Sequence, residues 1–531
     1  MPASFRRCSR LLFSAALTLA SAGAPVVYAR QEHHAAASNP RPENAPVLNV
    51  RDFGAIGDGQ LHRVSEWVQS GRFSSLHSLR RAYPFVDDAR WTVDEVAFEL
   101  AKRALPPAGG TIHFPAGHYV SGRHSWRIWR DHVRLTGDGP DHSILSTAPE
   151  IEDALSLSPY RHIGWIEGAA HEFAYTADSG QRGGSSLKLK LPSQADLSPG
   201  DLVFVRNGAN RFDQDYGEFN VVTALDADGT LHLQHPLSRD YTLAKLNWAG
   251  EVASDFSLPR RKGAVQVTLR KGNGFFAPSR GTTVSIGENV FRVEQQNGNT
   301  IRLANLGPAN DPRGTVIPAG SKIAKSRTVL KLTRSTRHFR AEGLQIVGRR
   351  KVVSISNSYD VAFVDCTFRR DLRDRAFRGG LTLDGDGGRF ARFERCTFIA
   401  TPAIGMQMAR SFGDIVFSAC TFKDTNVAFT EFNFRGEVSD CTFEIEGTAA
   451  LTNVVIVGKS CGDLRVVDNR IRAQGVKTVF DTVSDIHSQK HGGEGDVVIR
   501  HNRIEVRDVG RVFPLPHSHR LSLADNQVVQ P

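Results

Sequence analysis

The stretch Phe363–Phe368, FVDCTF, decides the fold because the chain repeats it. Near-copies follow as FERCTF at 393–398, FSACTF at 417–422 and VSDCTF at 438–443. Asparagine then replaces cysteine in VVDNRI, IRHNRI and LADNQV, around Asn469, Asn502 and Asn526, and RAEGLQI around Gly343 is an earlier, weaker copy. Copies at intervals of 21 to 33 residues indicate a stacked repeat.

Each repeat unit contains two or three short runs of alternating apolar and polar residues, separated by turns rich in Gly, Asp, Asn and Arg. The units leave no room for a repeated helix. The pattern therefore predicts an all-β chain, a parallel β-helix whose coils stack about 4.8 Å apart. Stacking puts the Cys and Asn positions in one inward column, where asparagine satisfies turn backbone groups and cysteine is a small buried apolar residue.

Cysteine usage fits this structural interpretation. Beyond the N-terminal leader the chain has five cysteines, all in its C-terminal part: Cys366, Cys396, Cys420, Cys441 and Cys461. An odd number without a C-x-x-C pair argues against a disulfide scaffold and against a zinc site. A strained disulfide between coils remains the alternative in an oxidising compartment.

The first 29 residues have the three parts of a secretory signal peptide. Three arginines within residues 6–10 precede the apolar run LLFSAALTLASAGAPVV, and small residues end at Ala29, where we expect cleavage. A membrane anchor is the weaker alternative because Gly23 and Pro25 interrupt a short run. No later segment is apolar enough to span a bilayer, so the sequence predicts a secreted or periplasmic protein.

The charge of the chain is basic. The formal net charge is +10, and removal of three arginines with the leader leaves +7. For an exported protein this favours an acidic polysaccharide as partner over nucleic acid, although Coulomb attraction alone does not separate the two, and a generic basic surface is an alternative. Nothing in the sequence indicates an oligomeric state.

Three N-terminal motifs carry a family resemblance. NVRDFGAIGDG (49–59), GGTIHFPAGHYV (109–120) and VRLTGDGPDHSIL (133–145), with a helix between the first two, resemble the N-terminal region of pectate-lyase-3-type β-helix proteins. That family includes polysaccharide lyases, hydrolases, uronan epimerases and phage tailspikes. The resemblance implies that the parallel β-helix is right-handed and that the helix covers its open end. The glycines then mark turns, because no G-x-G-x-x-G leads directly into a helix.

The helix is also predicted from its own residues. Thr92 can cap its N-terminus. One apolar stripe follows at helical spacing, formed by Val93, Val96, Ala97, Leu100, Ala101, Ala104 and Leu105.

The sequence divides into five regions. We predict a signal peptide at 1–29, a linker at 30–48, the cap and first coils at 49–185, inserted β-rich modules at 186–333, and the main coils at 334–531. Alternating residues with Asp-Gly and Asn-Gly turns predict small sandwiches or barrels in the inserted part. Such modules wall a substrate cleft, bind sugar, or act as spacers.

The repeat also predicts a polar column. Counting about twelve residues back from each Cys or Asn position aligns Ser354, Asp384, Met408, Phe429, Val457 and Lys490. We take as inward Leu381, Leu383, Met406, Met408, Phe429 and Ile456. By alternation, the following residues are predicted to point outward: Thr382, Asp384, Gln407, Thr430, Lys459, His487 and Gln489. Glu431, Lys490 and His491 are predicted at strand ends. Such a column suits a polysaccharide groove, and equally a solvated sheet face.

Two chemistries fit this column, and β-elimination on a uronate is the first. It needs a base and cations that neutralise the carboxylate, which Lys459, Lys490 and His491 supply. The phrases VVIVGKSCGDLRVVDNRI and SQKHGGEGDVVIRHNRI look like the Lys-Ser and Arg-His-Gly coils of chondroitinase B and alginate-lyase-type β-helix lyases. The resemblance implies that Lys459 is the base, with Lys490 in place of the assisting arginine.

A cofactor is not predicted from these motifs. Acidic calcium ligands are expected just before the Lys-Ser pair in such lyases, and Thr452 and Val454 stand there instead. No calcium ligand set is therefore identified.

Glycoside hydrolysis is the second chemistry, and it needs two carboxylates. Asp384, Asp386 and Glu431 are the candidates, although the N-T-D, D-D and G-H-G motifs of polygalacturonase-type hydrolases do not occur in this column. A non-catalytic polysaccharide-binding protein is a third possibility. The loop RRDLRDRAFR (369–378) favours an acidic ligand because Arg373, Arg375 and Arg378 can bind carboxylates or sulfates, unless water alone solvates them.

Overall fold

A computed structural model gives the structure of the chain over most of its length. It describes residues 45–151, 153–157, 171–176, 180–189, 197–207, 217–238, 250–260, 263–271, 283–286, 289–305, 315–325, 327–332, 335–349, 351–370, 381–399, 406–429, 435–447, 451–458, 462–483, 495–513 and 520–530. The predicted signal peptide, most of the linker and Cys461 lie outside these residues. In the described part no helix is long and apolar enough to cross a bilayer.

The N-terminal region contains a 3-10 helix at Val50–Phe53, three α-helices and seven strands. The helices are α1 (Ser65–Gln69), α2 (Leu76–Ala82) and α3 (Val93–Ala104). The strands are β1 (Val47–Asn49), β2 (Gly110–Phe114), β3 (Gly117–Ser121), β4 (Trp126–Arg127), β5 (Val133–Gly137), β6 (Ser143–Thr147) and β7 (Asp153–Ser156).

Helix α3 is the predicted capping helix. Its N-cap is Thr92, whose side chain accepts from the Glu95 amide (3.2 Å). The predicted stripe is buried over most of its length, but Ala104 is exposed at the last turn and Phe98 packs into the core in addition. Phe98, Ala101 and Leu105 belong to the same apolar core as the strands of the β-helix, so α3 shields the N-terminal end of that core from water.

The glycine-rich motif that precedes α3 is tied to the helix. The buried carboxylate of Asp94 accepts hydrogen bonds from the amides of Ile56 (2.7 Å), Gly57 (3.2 Å) and Val120 (3.0 Å). Gly57 has φ 68°, and a Cβ there would lie 2.6 Å from the ring of Tyr119. The motif is therefore structural, and its glycine is required by both conformation and space.

Fourteen strands follow between the first coils and the rest of the β-helix. They are β8 (His171–Thr176), β9 (Ser186–Lys188), β10 (Leu202–Asn207), β11 (Gly217–Leu225), β12 (Thr230–Leu233), β13 (Gly250–Val252), β14 (Phe256–Ser257), β15 (Ala264–Lys271), β16 (Thr283–Ile286), β17 (Asn289–Asn297), β18 (Thr300–Asn305), β19 (Val316–Ile317), β20 (Lys322–Lys325) and β21 (Arg327–Leu332).

These strands form two small antiparallel units with separate cores. One is a six-stranded sheet in the order β8-β21-β10-β11-β12-β9, and the other is a closed barrel in the order β13-β15-β18-β17-β16-β20. We call the six-stranded sheet and its connecting loops the docking module, because it contacts the β-helix through β11. The prediction of inserted β-modules is thus confirmed.

The remaining strands complete the β-helix. They are β22 (Thr336–Glu342), β23 (Gln345–Gly348), β24 (Lys351–Val364), β25 (Thr367–Arg370), β26 (Leu381–Glu394), β27 (Thr397–Ile399), β28 (Met406–Ser418), β29 (Thr421–Lys423), β30 (Val427–Phe429), β31 (Arg435–Ser439), β32 (Thr442–Glu446), β33 (Asn453–Gly458), β34 (Asp463–Val467), β35 (Arg470–Gln474), β36 (Thr478–Val483), β37 (Asp496–Arg500), β38 (Arg503–Arg507), β39 (Arg520–Ala524) and β40 (Gln527–Val529).

Each coil has three straight legs, and parallel pairing stacks like legs on one another. The third legs form a ten-stranded sheet, β3-β6-β23-β25-β27-β29-β32-β35-β38-β40. The second legs run β1-β2-β5-β22-β24-β26-β28-β31-β34-β37-β39, and the first legs are β4, β7, β30, β33, β36 and the initial parts of β24, β26 and β28. The architecture is the predicted right-handed parallel β-helix.

The repeated phrase occupies the corner between the second and third legs. The phenylalanine three residues before each of the first three cysteines stacks on its counterpart, with ring centroids 5.1 Å apart for Phe363–Phe393 and 4.8 Å for Phe393–Phe417. The phenylalanine after each cysteine forms a second stack, from Phe368 to Phe443. The residue before each Cys or Asn has φ between 50° and 58° from Asp365 to Asp525, and this left-handed turn sets the corner.

The Cys and Asn positions form the predicted inward column. The four described cysteines are buried free thiols, and burial raises the pKa of Cys396 and Cys420. Further along, Asn469 accepts from the Cys441 amide (2.8 Å) and donates to the Val438 carbonyl (2.9 Å). Asn502 repeats the same pattern one coil later, so the asparagines satisfy backbone groups that the turn would otherwise leave buried without partners.

Candidate functional site

Most predicted site residues fall outside the described part of the chain. They are Lys459, Lys490, His491, Glu431, Thr430, His487, Gln489, Arg373, Arg375 and Arg378. For Thr382, Asp384, Asp386 and Gln407 the strands are described but the side chains are not. The same holds for Leu381, Leu383, Met406 and Met408.

Backbone pairing nevertheless places two predicted residues side by side. On the first legs Asp384 pairs with Ser354 on one side and with Gln407 on the other. The same level continues through Ala428 and Ile456 to Asp481. The column of polar positions is thus interrupted by two apolar residues.

The predicted register needs three corrections, and the first concerns Met408. The sequence count aligned it with Asp384, whereas the structure aligns Gly385 with Met408. The cause is one extra residue in β28, because Asp386 and Gly388 pair with Ala409 and Phe412. A constant count back from the cysteine does not detect such a bulge.

The other two corrections concern the last coils. The residue level with Val457 is Thr482 in β36, not Lys490, because a longer segment separates β36 from β37. Ile456 was predicted to point inward, but Val455 and Val457 are the buried core residues and Ile456 is partly exposed. The alternation that pointed Lys459 outward therefore rested on a wrong premise.

The described side chains converge instead where the docking module meets the corner between the first and second legs. Arg389 of β26 is completely buried there. Its Nη1 donates to Glu218 Oε2 of β11 (3.1 Å) and to the Phe219 carbonyl (3.1 Å), and its Nε donates to Asp414 Oδ2 of β28 (2.6 Å). We call this the junction; it joins two coils and the docking module through one guanidinium group.

The junction presents positive charge to solvent. Asp414 also binds Arg435 (Nε–Oδ1 2.5 Å), with 42% of the arginine side chain exposed and 11% of the aspartate. Arg392 and Asp360 show the same asymmetry. Their Nη2 and Oδ1 atoms are 3.5 Å apart, and 41% of the arginine side chain is exposed against 10% of the aspartate. Burial opposes ionisation of Asp414, but Arg389 and Arg435 hold its pKa below the usual value. In both pairs the carboxylate is covered and the guanidinium remains accessible.

Aromatic and imidazole rings line the same corner. His235, from the docking module, contacts Tyr359 through a hydrogen bond of 2.6 Å between Nε2 and Oη, and its ring lies 4.7 Å from that of Phe390. One coil earlier His338 binds Asp360 (Nδ1–Oδ2 2.8 Å) and stacks on His132 at 4.7 Å. Among the described residues no group of three or more His, Cys, Asp or Glu side chains is arranged to hold a metal ion.

Sequence reasoning missed this junction. Tyr359, Arg389 and Gly413 occupy the same level of successive coils. An alignment of the repeats could therefore have shown that large polar side chains, Tyr359 and Arg389, stand at a position outside the repeated motif. Glu218 and His235 carry no such signal, because they lie in another unit and more than a hundred residues away along the chain.

These observations define the class: the chain is a right-handed parallel β-helix protein with an anchored module beside its first legs. No protein-family model and no curated protein matches it. Solved structures that are similar include the tailspike protein gp49 from Pseudomonas phage LKA1, at 15% identity over 91% of this chain and 79% of that chain, TM-score 0.35. The A-module of the Azotobacter vinelandii mannuronan C-5 epimerase AlgE4 matches at 13% identity over 91% of this chain and 96% of that chain, TM-score 0.35. Similarity at this level does not bear on activity.

Proposed function

We propose that this chain is an exported enzyme that binds an acidic, uronate-containing polysaccharide and cleaves it by β-elimination. The observation that carries the proposal is the charge asymmetry at the junction, where Arg392 and Arg435 are accessible and their carboxylate partners are covered. Accessible guanidinium groups form bidentate hydrogen bonds with carboxylates. The basic net charge, +10 for the full chain and +7 without the predicted leader, acts in the same direction.

β-Elimination needs the same cations for its chemistry. The carbon acid next to a uronate carboxylate becomes acidic enough only when cations neutralise the carboxylate. The sequence resemblance makes Lys459 a candidate base with Lys490 and His491 as assisting cations, and Arg373, Arg375 and Arg378 remain the proposed binding loop.

Hydrolysis is the second candidate, and the register favours it at one point. Asp384 and Asp386 stand two positions apart on β26, where their backbones pair with Gln407 and Ala409. In a regular strand two such positions share a face. Positions two apart on a strand are separated by about 7 Å, within the spacing of carboxylate pairs in glycosidases. Glu431 remains a third proposed carboxylate.

The test combines two product assays. The purified protein is incubated with polyuronates and glycosaminoglycans, and both the ultraviolet absorbance of the unsaturated product and the reducing ends are followed. Unsaturated product is expected. Reducing ends alone would establish the hydrolase, and binding without product would establish a non-catalytic protein.

Variants assign the chemistry to residues. If Lys459 is the base, Lys459→Ala should abolish unsaturated product and Asp384→Asn should affect it little, with Lys423→Ala on the exposed third leg as the matched lysine control. Loss of activity in Asp384→Asn or Glu431→Gln, with Lys459→Ala active, would replace the lyase by the hydrolase. Arg373, Arg375 and Arg378 replaced together by Gln should raise KM and flatten its salt dependence.

A further inference from the structure

A histidine–tyrosine pair bridges the docking module and the β-helix at the edge of the accessible arginines. His235 Nε2 and Tyr359 Oη are 2.6 Å apart. Tyr359 is buried on β24, whereas the side chain of His235 is only partly covered. Of the two groups, the imidazole is therefore the one that a bound polymer can reach.

The imidazole is held in place by its own module. The buried side chain of Asn220 accepts from the His235 amide (3.1 Å) and donates to the His235 carbonyl (2.9 Å). The ring of Phe390 packs 4.7 Å from the imidazole. Backbone and ring are thus fixed before any ligand arrives, as a proton-transfer group requires.

The surroundings keep the imidazole neutral. Burial first, and then the charges of Arg389 and Arg435, lower the pKa of His235 to about 4 against the opposing effect of Asp414. Burial also raises the pKa of Tyr359, which remains a phenol. When Nε2 carries the proton and donates to Tyr359, Nδ1 keeps its lone pair, and the described residues provide no hydrogen-bond partner for Nδ1.

We propose that His235, in place of Lys459, is the catalytic proton-transfer residue of this chain, a role that rests on the β-elimination proposed above. Its Nδ1 removes the proton from C5 of the uronate, the electron pair forms the C4=C5 double bond, and the C4–O bond breaks. The same nitrogen then returns the proton to the departing oxygen, so the histidine ends unchanged. Tyr359 is a positioning residue that fixes the tautomer, and Arg435 is the nearest accessible cation for the carboxylate.

This assignment restricts the substrate. One nitrogen can take the proton and give it back only if C5–H and C4–O lie on the same face of the sugar ring. Glucuronate and mannuronate units meet that condition, whereas galacturonate and guluronate units have the two bonds on opposite faces. The structure therefore points to a polymer of the first kind.

The experiment compares two histidines of the docking module. His235→Gln is the test variant, and His232→Gln is the matched control because His232 is an exposed residue that pairs with Asp226 (2.8 Å). On polymannuronate and on a glucuronate-containing glycosaminoglycan, His235→Gln should lower kcat by about 10²–10⁴-fold with KM little changed. His232→Gln should behave like the wild type.

Tyr359→Phe tests the positioning role. It should lower kcat by roughly tenfold and move the acidic limb of the pH–rate profile, which a purely structural change would leave in place. Should His235→Gln fail to fold, His235→Ala is assayed with and without added imidazole. Recovery of turnover by imidazole supports the proposal, and a folded variant that needs no imidazole contradicts it.

The outcomes separate this inference from the function on which it rests. Unsaturated product from the wild type and equally from His235→Gln overturns the role of His235 and leaves the lyase intact; so does a loss confined to Lys459→Ala or to His338→Gln. Product from polygalacturonate or polyguluronate alone overturns the same-face assignment. If the wild type gives no unsaturated product from any polymer, both the proposed function and the proposed role of His235 are wrong.

Discussion

The two corners of the coil that carry polar groups are built in opposite ways. Between the second and third legs, one motif recurs from coil to coil between Cys366 and Asn526, and like residues stack on like in the ladder of cysteines and asparagines. Between the first and second legs, Tyr359, Arg389 and Gly413 share one level, and the partners of the first two come from the docking module. The corner with the repeated motif builds the scaffold. The corner without it carries the charged groups and the accessible rings of the candidate site.

The buried guanidinium of the junction should give the largest loss of stability. Arg389→Ala removes the guanidinium group that binds the buried Glu218 and leaves Asp414 with Arg435 alone, and we expect the free energy of unfolding to fall by about 3–5 kcal/mol. Urea denaturation measures the loss. Arg392→Ala, on the same strand but accessible, should cost under about 1 kcal/mol; equal losses would show that burial does not distinguish the two arginines.

The asparagine ladder should give the next largest loss. Asn502 Oδ1 accepts from both the amide (3.0 Å) and the Nδ2 (2.9 Å) of Asn469. Asn502→Ala leaves the buried Asn469 amide without an acceptor and leaves the Asn469 Nδ2 with the Val438 carbonyl alone, which we expect to cost about 2–4 kcal/mol. Asn526→Ala, on the last and partly exposed rung, should cost less, because water can replace the lost acceptor. A larger loss at Asn526 would contradict this account of the ladder.

The difference between the corners also explains how far the sequence alone can predict this molecule. The ladder was predicted because corresponding positions of stacked coils lie above one another. Cys441 and Asn469 occupy the same position of the repeated motif, so the sequence alone indicates that they are neighbours. The predicted alignment of the first legs was wrong at Met408. One extra residue in β28 moves Met408 out of line with Asp384 but leaves the cysteine motif that follows unchanged.

The junction was beyond prediction for a different physical reason. Its hydrogen bonds connect residues far apart in sequence and in separate units, such as Arg389 with Glu218 and Tyr359 with His235. No periodicity relates such residues, and only the docked structure reveals that they meet.

Acid should weaken the junction and leave the ladder untouched. The folded chain protonates His235 only at a pKa of about 4, whereas the unfolded chain does so near the ordinary value of 6.5. The unfolded state therefore binds more protons between these values, and the stabilising contribution, complete above pH 6.5, is lost as the pH falls toward 4. Arg389, Arg435 and Asp414 are the charges that face the imidazole.

Partial exposure of His235 reduces this loss to about 1–2 kcal/mol. The measurement is the free energy of unfolding at both ends of that pH window, for the wild type and for His235→Gln. The difference between the two proteins isolates the histidine from other titrating groups, and a difference that does not vary with pH would contradict the lowered pKa.

The smallest effect is expected in the cysteine part of the ladder. Cys420 Sγ already donates to the carbonyls of Phe393 (3.3 Å) and Ser418 (3.4 Å). In Cys420→Ser the hydroxyl finds these acceptors, so most of the cost of burying it is offset and about 1 kcal/mol remains. Denaturation measures this loss, and turnover by the folded protein should be unchanged, because the thiol faces the core and not the junction. A folded Cys420→Ser variant without turnover would show that the regular corner takes part in the chemistry.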